Sequence, residues 1–161
     1  MKLIRFAAPA IALVALTAGN AAAQGPSQEV TIQVDAINQL AFFGAPSLVI
    51  NSASAGSAPN SASASATYSI TTNETSRKIT AELDADLPDD VTLTASLTAP
   101  SGAQSQGAVG LEHGQANDVV TGISTVNASG LNITYTLSAT AAAGTVPSTK
   151  RIVTYTIATG P

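Results

Sequence analysis

Between Ala66 and Leu97 the chain reads ATYSITTNETSRKITAELDADLPDDVTLTASL, and three successive runs in it place an apolar side chain at every second position. The runs are Tyr68 and Ile70; Ile79, Ala81 and Leu83; then Val91, Leu93, Ala95 and Leu97, with Thr, Ser, Lys and Glu filling the places between. A period of two turns one side of an extended chain to a core and the other to water, a pattern that no helix can keep on one face. The polar insert Asn73-Glu74-Thr75-Ser76 has the length that joins antiparallel neighbours, and the acidic connection Asp84 to Asp90, containing Pro88, is longer. The expectation is a three-stranded antiparallel meander.

The same period recurs on both sides. Glu29 to Asp35 (EVTIQVD) alternates Val30, Ile32 and Val34 with Thr31, Gln33 and Asp35, which predicts a strand. Ile37, Leu40, Phe42 and Phe43 follow with poorer alternation, so a bulge or a change of strand is expected there. Because Phe42 and Phe43 are adjacent, one of them must face away from the core, toward a partner chain or a covering loop. Ser47 to Asn51 predicts a short strand, and the Ala/Ser/Gly/Pro/Asn stretch Ser52 to Ser65 a surface loop. After a loop over 99–107, Ala108 to Leu111 and Asp118 to Ile123 predict two weak strands. Leu131 to Ala139 and Arg151 to Thr159 predict two strong ones. These last two share Thr-Tyr-Thr, which suggests hairpin partners with Tyr135 and Tyr155 in one core. Eight or nine short strands without a helix predict an all-β fold: an antiparallel β-sandwich, immunoglobulin-like, with a closed barrel as the alternative.

The N-terminus has a different character. Lys2 and Arg5 precede the apolar run Phe6 to Leu16, and small residues then lead to Ala21-Ala22-Ala23. That order is the pattern of a secretory signal peptide over residues 1–23, followed by a single domain over 24–161. The apolar run is too short for a spanning helix, so no membrane span is expected in the mature protein. Localisation outside the cell, at its surface or in the periplasm follows from export. The chain has no cysteine, which removes disulfides and thiolate metal sites from consideration. Residues 24–161 keep four bases (Arg77, Lys78, Lys150, Arg151) against ten acids, a surface that repels nucleic acid. Each basic pair opens a predicted strand, where it serves as solvation of a strand end.

Few residues can carry chemistry. Asp84, Asp86, Asp89 and Asp90 sit on one inter-strand connection and could offer carboxylate oxygens to calcium, although their spacing does not follow the EF-hand loop; the other reading is a solvated connection whose charges guard the neighbouring strands against aggregation. No other cofactor is expected. His113 is the single histidine, lies in the loop Glu112-His113-Gly114 and has no G-x-S-x-G partner motif, so it is expected to be a solvated loop residue. Tyr68, Tyr135 and Tyr155 fall on the inward phase, which leaves few aromatic platforms for sugar. Threonines repeat on the outward phase at Thr92, Thr94 and Thr98, at Thr134 and Thr136, and at Thr154 and Thr156. Such rows can order water, and threonine is also an ordinary strand residue on a solvent face.

A charge-poor, cysteine-free, exported β protein lacking a catalytic constellation is expected to work by interaction and not as an enzyme. Its first predicted strand, Glu29 to Asp35, lies behind the short lead Gln24 to Gln28 and could pair within its own domain or add to the sheet edge of a neighbour, with Val30, Ile32 and Val34 as the interacting row. In that strand, the all-β pattern and the signal peptide, the chain resembles bacterial surface proteins that polymerise by strand donation, such as chaperone-usher pilins and spore-coat-U-type proteins. The resemblance implies a structural or adhesive, fimbrium-like subunit that associates with itself or with other surface proteins. The alternative expectation is a carbohydrate-binding or calcium-dependent binding module with a glycan as partner.

Overall fold

The computed structural model describes residues 25–160; the predicted signal peptide, residues 1–23, lies outside the described residues. The chain divides into two compact units, Met1–Gln33 and Val34–Pro161. Of the first unit, residues 25–33 are described; they are exposed throughout and enter no strand.

The second unit carries nine strands: β1 (Asn38–Phe43), β2 (Ala62–Thr72), β3 (Arg77–Leu83), β4 (Val91–Leu97), β5 (Gln104–Ser105), β6 (Val109–Gly110), β7 (Asn117–Ile123), β8 (Val126–Ala139) and β9 (Val153–Thr159). The described residues contain no α-helix, only one 3-10 turn, Ala141–Ala143, capped by the Thr140 hydroxyl, which accepts from the Ala142 N–H at 3.2 Å. Two sheets result, one of five strands in the order β1-β2-β8-β4-β6 and one of four in the order β5-β7-β3-β9, and every ladder between strands is antiparallel. A single apolar cluster draws from both, with Tyr68, Ile70, Leu97 and Ile133 from the larger sheet and Ile79, Val119, Val120 and Ile123 from the smaller. Each of these side chains is all but fully buried, and each contributes roughly 1.5–3 kcal/mol relative to exposure.

The three central strands form where the alternation predicts them, but not as a meander. β2 and β4 belong to the five-stranded sheet, and β3 lies in the other. The insert Asn73–Ser76 is therefore an arch between layers and not a hairpin turn. Its geometry is held from several sides: the Glu74 N–H donates to Thr72 Oγ1 at 3.1 Å, the Glu74 carbonyl accepts from the Thr125 N–H at 2.9 Å, and Ser76 takes a positive φ of 52°. The physical reason is that an apolar row facing one core reads the same whether the next strand lies beside it or across from it. The same correction applies to β8 and β9. They are not hairpin partners but members of opposite sheets, and Tyr135 and Tyr155 meet across the core between them.

Three boundaries also differ from expectation, and at a fourth one of two alternatives holds. Ser52 to Ser65 is not all loop: from Ala62 onward it is the start of β2, where Ala62, Ala64 and Ala66 are half-buried and Ser63 Oγ lies 3.0 Å from Thr136 Oγ1 on β8. Alternation of Ala with Ser is a strand pattern whose apolar member is small. Ser47 to Asn51 pairs with no sheet, although Leu48 and Ile50 still turn inward and Val49 outward. Over 37–43 the second of the two expectations holds: a separate strand, β1, begins at Asn38 and pairs with β2 in unbroken register without a bulge, and the irregularity falls on β2 against β8, between Tyr68 and Ile70. Finally, Glu29 to Asp35 belongs to no strand, since alternation supplies a face without supplying a neighbouring edge.

Candidate functional site

Two long strands end the sheets on one side each: β1 borders only β2, and β9 borders only β3. The other two terminal strands, β5 and β6, have two residues apiece. On β1, Leu40 and Phe42 face the core. The Phe42 ring stacks on Tyr155 of β9 with centroids 4.6 Å apart, and on Tyr68 at 6.1 Å. Phe43, the outward member of the pair, is 56% exposed. The Tyr155 hydroxyl donates to the Tyr135 hydroxyl at 2.9 Å, and the Tyr68 hydroxyl donates to the Thr98 carbonyl at 2.6 Å. Burial pushes all three phenols up, Tyr68 to about 12, and Tyr155 is raised further by its hydrogen bond to Tyr135. All three are structural groups: Tyr135 and Tyr155 join the two sheets, and Tyr68 ties β2 to the chain leaving β4 within one sheet.

The basic residues gather around one of those edges. Arg77 and Lys78 open β3, and Lys150 and Arg151 precede β9; in sequence they are two unrelated pairs. Because β3 and β9 are antiparallel, Arg77 stands opposite Thr159 and Lys78 opposite Ala158, so the two pairs mark the two ends of the same strand. Arg77 donates to Thr159 Oγ1 at 3.0 Å and pairs with Glu74, whose carboxyl is held below its usual range by hydrogen bonds from Asn38 and then Arg77. Lys78 pairs with Asp118 at 2.9 Å. Arg151 donates through Nε and Nη2 to the Asp86 carbonyl at 3.1 and 2.9 Å. The sequence showed both pairs, but only the β3–β9 ladder shows that they flank one strand.

The segment Glu29 to Asp35 straddles the two units, its last two residues belonging to the second. Val30, Ile32 and Val34 are 72%, 89% and 82% exposed. Where it enters the second unit, Asn73 fixes the chain: its Nδ2 donates to the Asp35 carbonyl and its Oδ1 accepts from the Ile37 N–H, both at 2.8 Å.

The four aspartates are exposed and do separate jobs. Asp84 Oδ1 accepts from the Ile152 N–H at 3.0 Å, the Asp86 carbonyl receives Arg151, and Asp90, at φ 60°, offers its carbonyl to the Thr140 N–H at 3.0 Å. Asp86 and Asp89 line a shallow recess of about 510 Å³ with Glu112 and His113. Among the described residues, no three His, Cys, Asp or Glu side chains converge as metal ligands, so the structure does not bring Asp84, Asp86, Asp89 and Asp90 together into a metal-binding group. His113 is exposed, and its Nδ1 lies 3.1 Å from the Leu83 carbonyl, where it extends the end of β3 as a backbone-bonded loop residue.

On the outward face of the five-stranded sheet, β2, β8 and β4 share an array of hydroxyl side chains. Register places Ser63, Thr136 and Thr94 in one row across β2, β8 and β4, and Ser65, Thr134 and Ser96 in the next. No charged residue interrupts it. Thr154 and Thr156 stand apart from this array, on the other sheet.

Among the described residues no helix is long and apolar enough to cross a membrane. Compared with known proteins, the chain matches no family model, no curated protein and no solved structure.

Proposed function

We propose that this protein is an exported, non-enzymatic structural or adhesive surface subunit, built on an immunoglobulin-like sandwich, whose copies associate when Glu29 to Asp35 of one adds as a strand to a sheet edge of the next. One observation carries the reading: three apolar side chains in strand phase, Val30, Ile32 and Val34, stand in water outside any strand, while the folded unit ends in long unpaired sheet edges. Strand addition answers both needs. Main-chain hydrogen bonds hold the added segment, and burial of its alternate side chains selects the register. The order of residues 1–23 supports export, and the low charge of the chain suits a subunit that meets its own copies at close range.

The test is the mass and appearance of the protein beginning at Gln24. Light scattering during size exclusion and negative-stain electron microscopy are expected to show multimers that grow with concentration. The variant Val30→Asp/Ile32→Asp/Val34→Asp, which alters only exposed side chains, is expected to stay monomeric with an unchanged circular dichroism spectrum. A parent that is monomeric at every concentration, or a triple variant that assembles equally well, overturns the proposal.

A second reading, a glycan-binding module, is favoured by the uncharged hydroxyl face of β2, β8 and β4, whose Ser and Thr side chains both donate and accept hydrogen bonds. Its test is calorimetry against soluble polysaccharides, with binding expected to vanish in Thr94→Lys/Thr136→Lys.

A further inference from the structure

Resting on the assembly reading above, the geometry points to β9 as the acceptor: Glu29 to Asp35 of a second copy pairs antiparallel with the outer edge of Val153–Thr159, placing Ile32 opposite Tyr155.

Length selects among the edges first. Glu29 to Asp35 has seven residues, spanning about 20 Å at the rise of an extended chain, and β9 also has seven, whereas β5 and β6 offer two each. Phase agrees as well. With Ile32 opposite Tyr155, Val30 falls opposite Ile157 and Val34 opposite Val153, so the donor's apolar row continues the inward row of β9. There it extends the layer that already holds Tyr155 and Phe42, the latter still 40% exposed.

Charge then separates β9 from β1. All four bases of residues 24–161 lie at the two ends of β9, and the donor carries its two acids at its own ends with none between. In the antiparallel register Glu29 falls opposite Ala158, at the end where Arg77 and Lys78 are already paired with Glu74 and Asp118. At the other end Asp35 falls opposite Ile152, beside Lys150 and Arg151. Asp84, bonded to the Ile152 N–H, is also at that end, and the two bases balance it and the incoming carboxylate. The edge of β1 has the opposite character. It contains no charge from Asn38 to Phe43 and so offers no base to either acid of the donor, whereas Lys150 and Arg151 stand at the start of β9. Antiparallel direction follows the habit of every strand ladder in this fold and is the slightly more stable pairing.

The chain has no cysteine, so introduced pairs report alone. In the proposed register Thr31 faces Thr156 at a Cα separation of about 4.5–5.5 Å, within disulfide range. The protein beginning at Gln24 is prepared as Thr31→Cys/Thr156→Cys and, for the rival edge, as Thr31→Cys/Ala41→Cys. Both are oxidised gently and run without reductant, with mass spectrometry of the linked peptides. The expected result is a ladder of covalent multimers from the first pair and at least tenfold less from the second. A ladder from the Ala41 pair instead overturns the acceptor assignment while the assembly reading stands. A disulfide closed within a single copy overturns the second-copy partner. Absence of linkage in proteins that are also monomeric by light scattering overturns both.

Discussion

Replacing Tyr135 and Tyr155 by phenylalanine, singly and together, probes a side-chain hydrogen bond that spans the two sheets at their core. Tyr155 donates to Tyr135 at 2.9 Å, and both rings remain packed when the hydroxyls are removed. Tyr155→Phe deletes the donor and is expected to cost about 1 kcal/mol, the net worth of one such bond. Tyr135→Phe deletes the acceptor and leaves the half-buried Tyr155 hydroxyl without it, which raises the cost to roughly 1–3 kcal/mol. With both gone no polar group is stranded, so the double variant is expected to fall short of the summed single costs by about 1 kcal/mol or more. Urea unfolding followed by circular dichroism gives all four stabilities, and for a domain of this size each 1 kcal/mol appears as a Tm change of roughly 3–5 °C. Additivity within about 0.3 kcal/mol refutes the idea that the layers are joined through this pair.

Two further predictions concern strain and protons. Thr125 holds a φ of 33°, in the left-handed region that a β-branched residue disfavours, while its N–H bonds to the Glu74 carbonyl; Thr125→Gly keeps that bond and is expected to raise Tm by about 2–4 °C, net of the chain entropy that glycine adds, and a fall would refute the strain. Tyr68 is raised from 10.0 to about 12, so the folded chain keeps a proton that the unfolded chain loses first. Its contribution is complete below pH 10 and is lost as pH rises toward 12, and Tyr135 and Tyr155 act in the same sense. An alkaline titration of stability is expected to show this decline, shallower in Tyr68→Phe, and an identical slope in the two proteins would contradict it.

Periodicity made the strands legible and left their partners hidden. The inward rows of β2, β3, β4 and β8 are those read from alternation, because burial of one face is a local property of the chain. Which sheet receives each strand depends on whether Asn73–Ser76 turns beside the previous strand or crosses to the other layer. That choice is made by contacts with Thr125, Asn38 and Arg77, which are distant in sequence or depend on the completed fold. The Ala/Ser start of β2 was unreadable because alanine adds little to an apolar pattern, yet beside β8 it is large enough to pack. At the candidate site the exposed row Val30, Ile32 and Val34 could be named from sequence. Its acceptor could not, since Arg77–Lys78 and Lys150–Arg151 become two ends of one edge only when β3 and β9 lie side by side.

Amide hydrogen exchange of the protein beginning at Gln24, measured at a dilute and at an assembled concentration, tests strand addition most directly. Assembly is expected to slow exchange at least tenfold at Val30 through Val34 and at the outward amides of β9, leaving the outer edge of β1 unchanged. Unprotected exchange of residues 30–34 in both states would contradict the account.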